Sequence, residues 1–402
     1  MRTTLKRSIT LPLITLYGLG NILGAGIYVL IGKVAGEAGY LSPISFMIAS
    51  FVALVSAFSY AELSARYPVS AGEAVYIYEG FHNQHLAQLV GTLIILAGIV
   101  SCAAITHGFA GYVRVLIDLP QQLIFVVLIT SLCALAIWGI EQSVKVAAFL
   151  TLIEIFGLLL ICIVGIDSLS YDIGSKTDEF VTTSSKSTWM GVFSGAFLAF
   201  YAYIGFEDMV NVAEEVQEPE KNMPKAILLC VLISCVLYGA VSWVSVSVAT
   251  PSELMNSRAP LALVYEKATG DRPIIITFIG LFAVINGALI QIIMASRLVY
   301  GMARRRWLPQ FLVGINATTR TPIYSTVLVS VLVCLFAIVF PLMELAQLTS
   351  YLILFVFALV NLALIRIKNS QIAPPSIGQY SIWVPRSGFI LTVSLVALQT
   401  FS

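Results

Sequence analysis

Three carboxylates lie inside stretches of sequence that are otherwise apolar, and these residues are the most able to do chemistry. Glu154 lies in the middle of the apolar run Leu152–Phe156, while Glu207 and Asp208 follow closely on Gly205. A carboxylate within a lipid-spanning segment is costly, which makes each one a functional candidate. Burial favours the neutral form of such a group, and this suits a carrier of protons. Glu154 is therefore a candidate proton-coupling residue, and a neutral, hydrogen-bonded structural role remains the alternative.

The pair Glu207 and Asp208 permits two kinds of role. Glu207 is predicted to orient the unwound segment by accepting hydrogen bonds from backbone N–H groups, or to pair with a cation as a gate. Tyr203 is a candidate gating residue beside it. Asp208 has the side chain of a helix N-cap and is predicted to cap the segment that follows.

A cluster of glycines interrupts the first apolar stretch, Leu11–Val34, near its centre. An unwound helix at that depth cannot face lipid, so it must line a cavity or pack against protein. The N–H groups at the start of the next helical segment suit a carboxylate, and carbonyls at the second interruption suit an ammonium group. Close packing between helices is the alternative for these glycines. The predicted substrate contacts are Ile22, Gly24, Ala25, Gly26 and Ile27 at the first break, and Tyr201, Ala202 and Ile204 at the second.

The composition indicates a protein embedded in a lipid bilayer. The chain has 402 residues, of which 59% are hydrophobic and 11% are charged, whereas soluble domains carry roughly 25% charged residues. The formal net charge of +1 gives no indication of a nucleic-acid partner. All six cysteines fall inside apolar runs, which predicts small buried hydrophobic side chains. No metal or cofactor is predicted.

Eleven stretches are apolar and long enough to span a bilayer as helices, which predicts an all-α polytopic fold. The tract 68–85 is too polar to span and is predicted to hold a short interfacial helix. The segment 260–268 is predicted to be a helix that acts as an outer lid, or a simple loop. The eleven predicted spans are 10–34, 43–66, 86–113, 121–140, 144–166, 189–213, 226–249, 273–303, 322–341, 344–366 and 384–401.

The order of the spans predicts an inverted repeat. The interrupted stretches are the first and the sixth, so residues 10–166 and 189–366 form two halves of five spans that enter the membrane from opposite sides. Residues 384–401 then form an eleventh span, and residues 1–402 form one transport domain. Lys and Arg are about twice as frequent in the loops on the same side as the N-terminus, which predicts that this terminus is cytoplasmic. The predicted location is the inner (plasma) membrane of the cell.

Four motifs in order resemble those of the amino acid–polyamine–organocation permeases. The resemblance covers about residues 8–368, and it implies a 5+5 inverted-repeat, LeuT-like core and amino acid transport, with Glu154 at a position where some sodium-independent members carry a lysine. The four stretches are Gly24–Tyr28, Tyr60–Pro68 with Ala71–Glu73, Gly205–Glu207 with Glu214, Glu215 and Met223–Ile227, and Ser296–Arg297 with Tyr300–Arg304.

Further polar residues near the ends of the spans have more ordinary predicted roles. Glu62 and Arg66 are one helical turn apart, which indicates an intracellular gate or a local ion pair. Arg297 is predicted to extend towards the membrane interface or to join that pair. His107 is predicted to be a hydrogen-bonded structural residue.

The main functional prediction is a secondary transporter for amino acids, driven by protons. A channel would need a continuous polar pore, and an intramembrane enzyme would need a catalytic constellation, and the sequence carries neither. No phosphate-binding G-x-x-x-x-G-K-[ST] loop occurs, so transport must use an ion gradient or exchange. Exchange or uniport without proton coupling, and a sensor that binds amino acids without moving them, remain alternatives.

Overall fold

The part of the chain that the structure describes consists of helices and their connections. The computed structural model describes residues 7, 9–24, 26–69, 72–138, 143–166, 186–304, 306–314, 321–370 and 378–401. Within these ranges no β-strand occurs, and Ile9 and Val216 form one isolated parallel bridge. The apolar helices bury their shared faces in a single large cluster of side chains.

Fifteen α-helices are described, and each of the eleven predicted stretches coincides with one or two of them. Seven helical stretches of the described residues are long and apolar enough to cross a membrane, and the apolar helices Gln121–Ile137 and Ile323–Val339 are shorter. The helices are α1 (Leu11–Leu23), α2 (Gly26–Ala38), α3 (Ser42–Arg66), α4 (Gly72–Phe81), α5 (Gln84–Leu116), α6 (Gln121–Trp138), α7 (Ser143–Val164), α8 (Lys186–Phe200), α9 (Pro219–Val248), α10 (Pro251–Asn256), α11 (Pro260–Thr269), α12 (Ile274–Arg304), α13 (Ile323–Val339), α14 (Leu342–Ser370) and α15 (Trp383–Phe401).

Two of the short helices outside the spans, α4 and α11, lie in segments for which the sequence analysis allows a helix. The tract 68–85 holds α4, a helix of ten residues. The segment 260–268 is helical as α11, which begins at Pro260 and ends before Gly270, a residue in the left-handed conformation. Proline at the start and glycine after the end are the residues that favour these helix boundaries.

The first predicted interruption separates α1 from α2, and it is shorter than the glycine cluster suggests. The backbone of Gly24 is still helical, and its N–H donates to the carbonyl of Gly20 at 3.2 Å. The expectation that the Gly24 N–H is free for a ligand is therefore wrong, because the last turn of α1 uses it. The free donors begin with the first turn of α2, where helical N–H groups have no partner within the helix.

The second interruption is longer. Helix α8 ends at Phe200, a 3₁₀ turn covers Tyr201–Tyr203, and a 3₁₀ helix follows at Glu207–Glu215. Gly205 between them has a φ of +133°, a conformation that side chains with a Cβ rarely adopt. The N-cap of the 3₁₀ helix is Phe206 without a side-chain hydrogen bond, so the prediction of Asp208 as the cap is wrong.

Candidate functional site

The two interruptions touch each other in the centre of the helix assembly. A Cβ added to Gly26 at the start of α2 would collide with Cα and Cβ of Ala202 in the 3₁₀ turn. A Cβ added to Gly205 would lie 2.9 Å from the carbonyl carbon of Asn21 in α1. Each break therefore places a glycine against the backbone of the other, and no larger residue fits either contact. Gly26 and Ala202 are thus brought together, and α1 and α2 both pack against the 3₁₀ turn Tyr201–Tyr203. Ala25 lies outside the described residues.

One tyrosine from a third helix connects the carbonyl groups of the two breaks. The hydroxyl of Tyr238 in α9 lies 2.7 Å from the carbonyl oxygen of Ile22 and 2.9 Å from that of Ala202. The hydroxyl has one proton, which the two carbonyl oxygens share. Carbonyl groups at the ends of helices lack backbone partners, so they are available to accept it. Sequence reasoning missed Tyr238. Its only signal is that a tyrosine buried in an apolar span needs a partner for its hydroxyl.

An amide side chain of α1 holds the second break in place. Asn21 Nδ2 donates to the carbonyl of Gly205 at 2.9 Å and to Oδ2 of Asp208 at 2.9 Å. Gln291 of α12 donates to the same Asp208 oxygen at 3.1 Å. Asp208 is thus an acceptor that joins α1 and α12 to the 3₁₀ helix, and Asn21 and Gln291 are two further residues that the sequence analysis did not single out.

Glu207 is buried directly beside the break. Its Oε2 accepts a hydrogen bond from the backbone N–H of Gly205 at 2.8 Å, and its Oε1 has no hydrogen-bond partner among the described residues. Glu207 therefore accepts a hydrogen bond from the backbone, which is the first of its two predicted roles. The carboxyl group stabilises the left-handed turn at Gly205 from within the same chain segment.

The tyrosines around the second break are held by neighbouring helices. The Tyr201 hydroxyl donates to the Ser101 carbonyl at 3.0 Å and lies 3.1 Å from the Ser101 hydroxyl. The Tyr203 hydroxyl donates to the carbonyl of Phe46 in α3 at 3.2 Å. Both side chains are buried. They therefore anchor the 3₁₀ turn to α5 and α3.

Glu154 lies close to the first break, on α7. Its side chain is 0% exposed, and its Oε1 accepts a hydrogen bond from Asn286 Nδ2 at 3.0 Å. Its Oε2 has no partner among the described residues. A Cβ added to Gly20 of α1 would lie 3.0 Å from the same Asn286 nitrogen. The carboxyl group is therefore packed one helical turn from the break, against an amide that α1 also contacts.

A second carboxylate network lies at the end of α3. Glu62 is 0% exposed, its Oε1 accepts from Arg66 at 2.7 Å, and its Oε2 accepts from Lys368 of α14 at 2.7 Å. The N–H of Tyr380 also donates to Oε2, at 3.1 Å. The predicted local pair is thus part of a buried network that joins three chain segments. Arg297 is exposed instead, so the prediction that it joins this network is wrong.

His107 on α5 has hydrogen bonds at both ring nitrogens. Nε2 lies 2.9 Å from the Ala337 carbonyl and 3.0 Å from the Phe340 carbonyl, and Nδ1 accepts from the Gln121 amide at 3.0 Å. Carbonyls accept and the amide donates, so these partners select the neutral tautomer with its proton on Nε2. The described residues hold no cluster of His, Cys, Asp and Glu that suits a metal ion.

The sequence is similar to those of known transporters. The family model described as amino acid permease matches residues 10–402. The chain is 28% identical over 395 residues to cationic amino acid transporter 3, mitochondrial, of Arabidopsis thaliana, covering 92% of this chain and 63% of that protein. It is 28% identical over 392 residues to the branched-chain amino acid permease BcaP of Bacillus subtilis, covering 92% and 82%. The methylthioribose transporter of Bacillus subtilis is 28% identical over 389 residues, with the same coverage. The chain thus spans less than two thirds of the length of the plant relative.

Proposed function

This chain belongs to the amino acid permease family, and we propose from that premise that it carries amino acids across a cell membrane as a secondary transporter. The family consists of multi-pass membrane transporters, and the chain is not an enzyme. The contact between the two breaks is the observation that carries the proposal. It brings the first turn of α2 together with the carbonyls of Ile22 and Ala202, which share a single hydroxyl donor, and recognition of an amino acid requires donors and acceptors in one place.

The proposed site binds the two groups that all α-amino acids share. The N–H groups of the first turn of α2, at Gly26 and Ile27, receive the carboxylate, because a helix start carries a partial positive charge. The carbonyls of Ile22 and Ala202 receive the ammonium group when the Tyr238 hydroxyl releases one of them. Tyr201 and Ile204 complete the acceptor side, and Gly24 provides the close approach between helices rather than a donor.

Alternating access is proposed to use the inverted repeat. The first half is residues 10–166, the second is residues 189–366, and residues 384–401 add an eleventh span. The breaks lie at the start of each half, so a rocking of one half against the other would open the shared site to each side in turn. The N-terminus is assigned to the cytoplasm and the protein to the inner (plasma) membrane, because Lys and Arg concentrate on that side.

Proton coupling is proposed to depend on Glu154. Its neighbour Asn286 donates to one carboxyl oxygen and leaves the other for a proton. Because α1 contacts the same amide at Gly20, a movement of α1 would change the surroundings of the carboxyl group. Glu207 and Tyr203 are proposed as gating residues, since Glu207 accepts from the Gly205 N–H within the second break and Tyr203 anchors its 3₁₀ turn to α3. Exchange or uniport without protons, and binding without transport, are the alternatives.

The test is counterflow with the purified protein in proteoliposomes. Vesicles are loaded with an unlabelled equimolar mixture of the twenty L-amino acids, and entry of the labelled mixture is measured against vesicles without protein. Saturable counterflow is the expected result. Binding without counterflow would identify a sensor, and single-channel currents in a planar bilayer would identify a channel. An inward proton gradient that drives accumulation separates coupled transport from exchange.

A further inference from the structure

A cavity lies beside α2, beyond the first break along the chain. It has a volume of about 230 Å³. Its lining residues come from α2, α5, the start of α6, the end of α10 with the connection to α11, and the start of α14. Val29 and Lys33 of α2 line it. Together with Gly26 they follow the spacing that places residues on one face of a helix. Lys33 is seven residues after Gly26, a rise of roughly 10 Å along the helix. The cavity therefore lies on the same face of α2 as the first break, about two turns away.

The lining of this cavity is strongly basic. Lys33, Arg114 and Arg258 all contribute to it, from three different chain segments. The acidic neighbour is Asp118, which lies 3.4 Å from Arg114 but is 87% exposed. A pair that is open to water contributes little and leaves most of the cationic character of Arg114 available. The uncharged polar residues Gln121 and Asn256 complete the wall, and the hydrogen bonds of His107 keep its ring neutral.

One hydrogen-bond donor of the cavity residues has no partner. The Nε–H of Arg114 is buried and donates to none of the described residues, although guanidinium groups normally use this donor. The Nζ of Lys33 donates to the carbonyl of Met255 at 2.7 Å, which holds the ammonium group at the cavity wall. A carboxylate offers planar acceptor oxygens that match a guanidinium fork and neutralise part of this charge.

We infer that this cavity, which we call the basic antechamber, binds the α-carboxylate of an incoming amino acid before it reaches the breaks. The inference rests on the proposed function and deepens it by naming a substrate class. Three cationic side chains repel a substrate whose net charge is positive, attract one whose net charge is negative, and can pair with the carboxylate of one whose net charge is zero. The substrates are therefore neutral or acidic amino acids, and lysine, arginine and ornithine are disfavoured.

The experiment measures counterflow of the labelled mixture of twenty L-amino acids in proteoliposomes at low and high salt. The test variants are Arg114→Gln, Arg258→Gln and the double variant. Arg272→Gln is the matched control, because Arg272 is an exposed arginine in the connection to α12 and does not line the cavity. Arg114→Lys keeps the charge. Thermal unfolding of each protein shows that it is folded, and Arg258 is exposed enough to be replaced without disturbing the core.

The double variant is expected to raise the half-saturating concentration about tenfold at low salt, with the maximal rate unchanged, because the field that concentrates substrate is removed. The difference from the parent shrinks at high salt. Unlabelled arginine should compete poorly with the parent and better with the double variant. Arg114→Lys keeps the charge but loses the planar guanidinium fork, so its half-saturating concentration should lie between those of the parent and Arg114→Gln.

The outcomes separate the two proposals. In one outcome the parent exchanges amino acids, while the double variant has the same half-saturating concentration as Arg272→Gln and is inhibited by arginine to the same degree. In that case the antechamber assignment is wrong, and the proposed transport function is unaffected. Efficient transport of arginine by the parent would overturn the substrate class. If the parent shows no counterflow with any amino acid, the proposed function fails and this inference falls with it.

Discussion

Gly26 and Ala202 are in direct contact, and through them the start of α2 meets the 3₁₀ turn of the second break. A Cβ on Gly26 would collide with both Cα and Cβ of Ala202. The two residues are far apart in the chain, so only the packing of the two interrupted spans brings them together. Any side chain added at position 26 therefore acts on both breaks at once.

Replacing Gly26 by valine is expected to abolish uptake. The new side chain must push Ala202 away, which costs about 1–3 kcal/mol as overpacking usually does and leaves the protein folded in detergent. Gly239→Val is the matched control, because a Cβ on Gly239 of α9 meets no atom within 4 Å. Uptake by Gly26→Val near that of the parent would show that the contact serves packing alone.

Binding is expected to need both the free carboxylate and the free amino group of the substrate. Amino acid amides and N-acetyl amino acids should fail to compete in the counterflow assay, because each removes one of the two charges that the breaks recognise. The control is competition by the corresponding unmodified amino acids, measured in parallel. Equal competition by either derivative would rule out recognition at both ends.

Glu154→Gln is expected to keep exchange and lose accumulation driven by a pH gradient. The amide has the shape of the protonated acid and can still accept the hydrogen bond from Asn286, but it cannot release a proton. Uptake is measured with and without an inward proton gradient, in the parent and the variant. Gradient-driven accumulation that survives in the variant would make Glu154 a structural residue.

Glu62→Gln is expected to lower the free energy of unfolding by about 3–5 kcal/mol, since it leaves the buried charges of Arg66 and Lys368 without a carboxylate. Lys221→Gln is the control. It breaks an exposed ion pair with Glu218, which should cost less than about 1 kcal/mol. Chemical unfolding in detergent gives both values. Similar losses in the two variants would contradict the buried network.

Glu73 on α4 is expected to make stability fall as the pH rises. Burial raises the pKa of its carboxyl group from 4.5 to about 8, and the negative charge of Asp208 adds to the rise. Between these values the folded protein binds more protons than the unfolded chain, so the free energy of unfolding decreases with pH across that window. Melting temperatures from pH 5 to about 9 test this.

The matched variants for this measurement lie on the same helix. Glu73→Gln should flatten the dependence of the melting temperature on pH, because the amide does not titrate. Glu79→Gln should keep it, because Glu79 is only half-buried on α4. A Glu73→Gln protein with the parent's pH dependence would show that another group is responsible.

Much of the architecture was predictable because it follows from local pattern. Long apolar runs predict helices in a bilayer, and helices occupy all eleven predicted stretches. Glycines and carboxylates inside such runs located both interruptions near Gly24 and Gly205. The hydrogen bond from Gly205 to Glu207 spans two residues, and the pair Glu62–Arg66 spans one turn, so both lie within reach of sequence reasoning.

The partners of the site residues depended on the tertiary structure. Asn21, Tyr238, Gln291 and Asn286 meet the breaks and the carboxylates from other helices, and nearly uniform apolar spans give no sign of which face turns inward. The error at Asp208 has the same reason, because its partners are on α1 and α12. The error at Gly24 is local instead, because α1 continues further into the glycine cluster than expected and the Gly24 N–H bonds to Gly20. The sequence by itself determined that this chain is helical, apolar enough for a membrane and interrupted in two of its predicted spans. Only the folded chain decided which side chains connect those breaks, because contacts between distant segments arise from packing and not from local spacing.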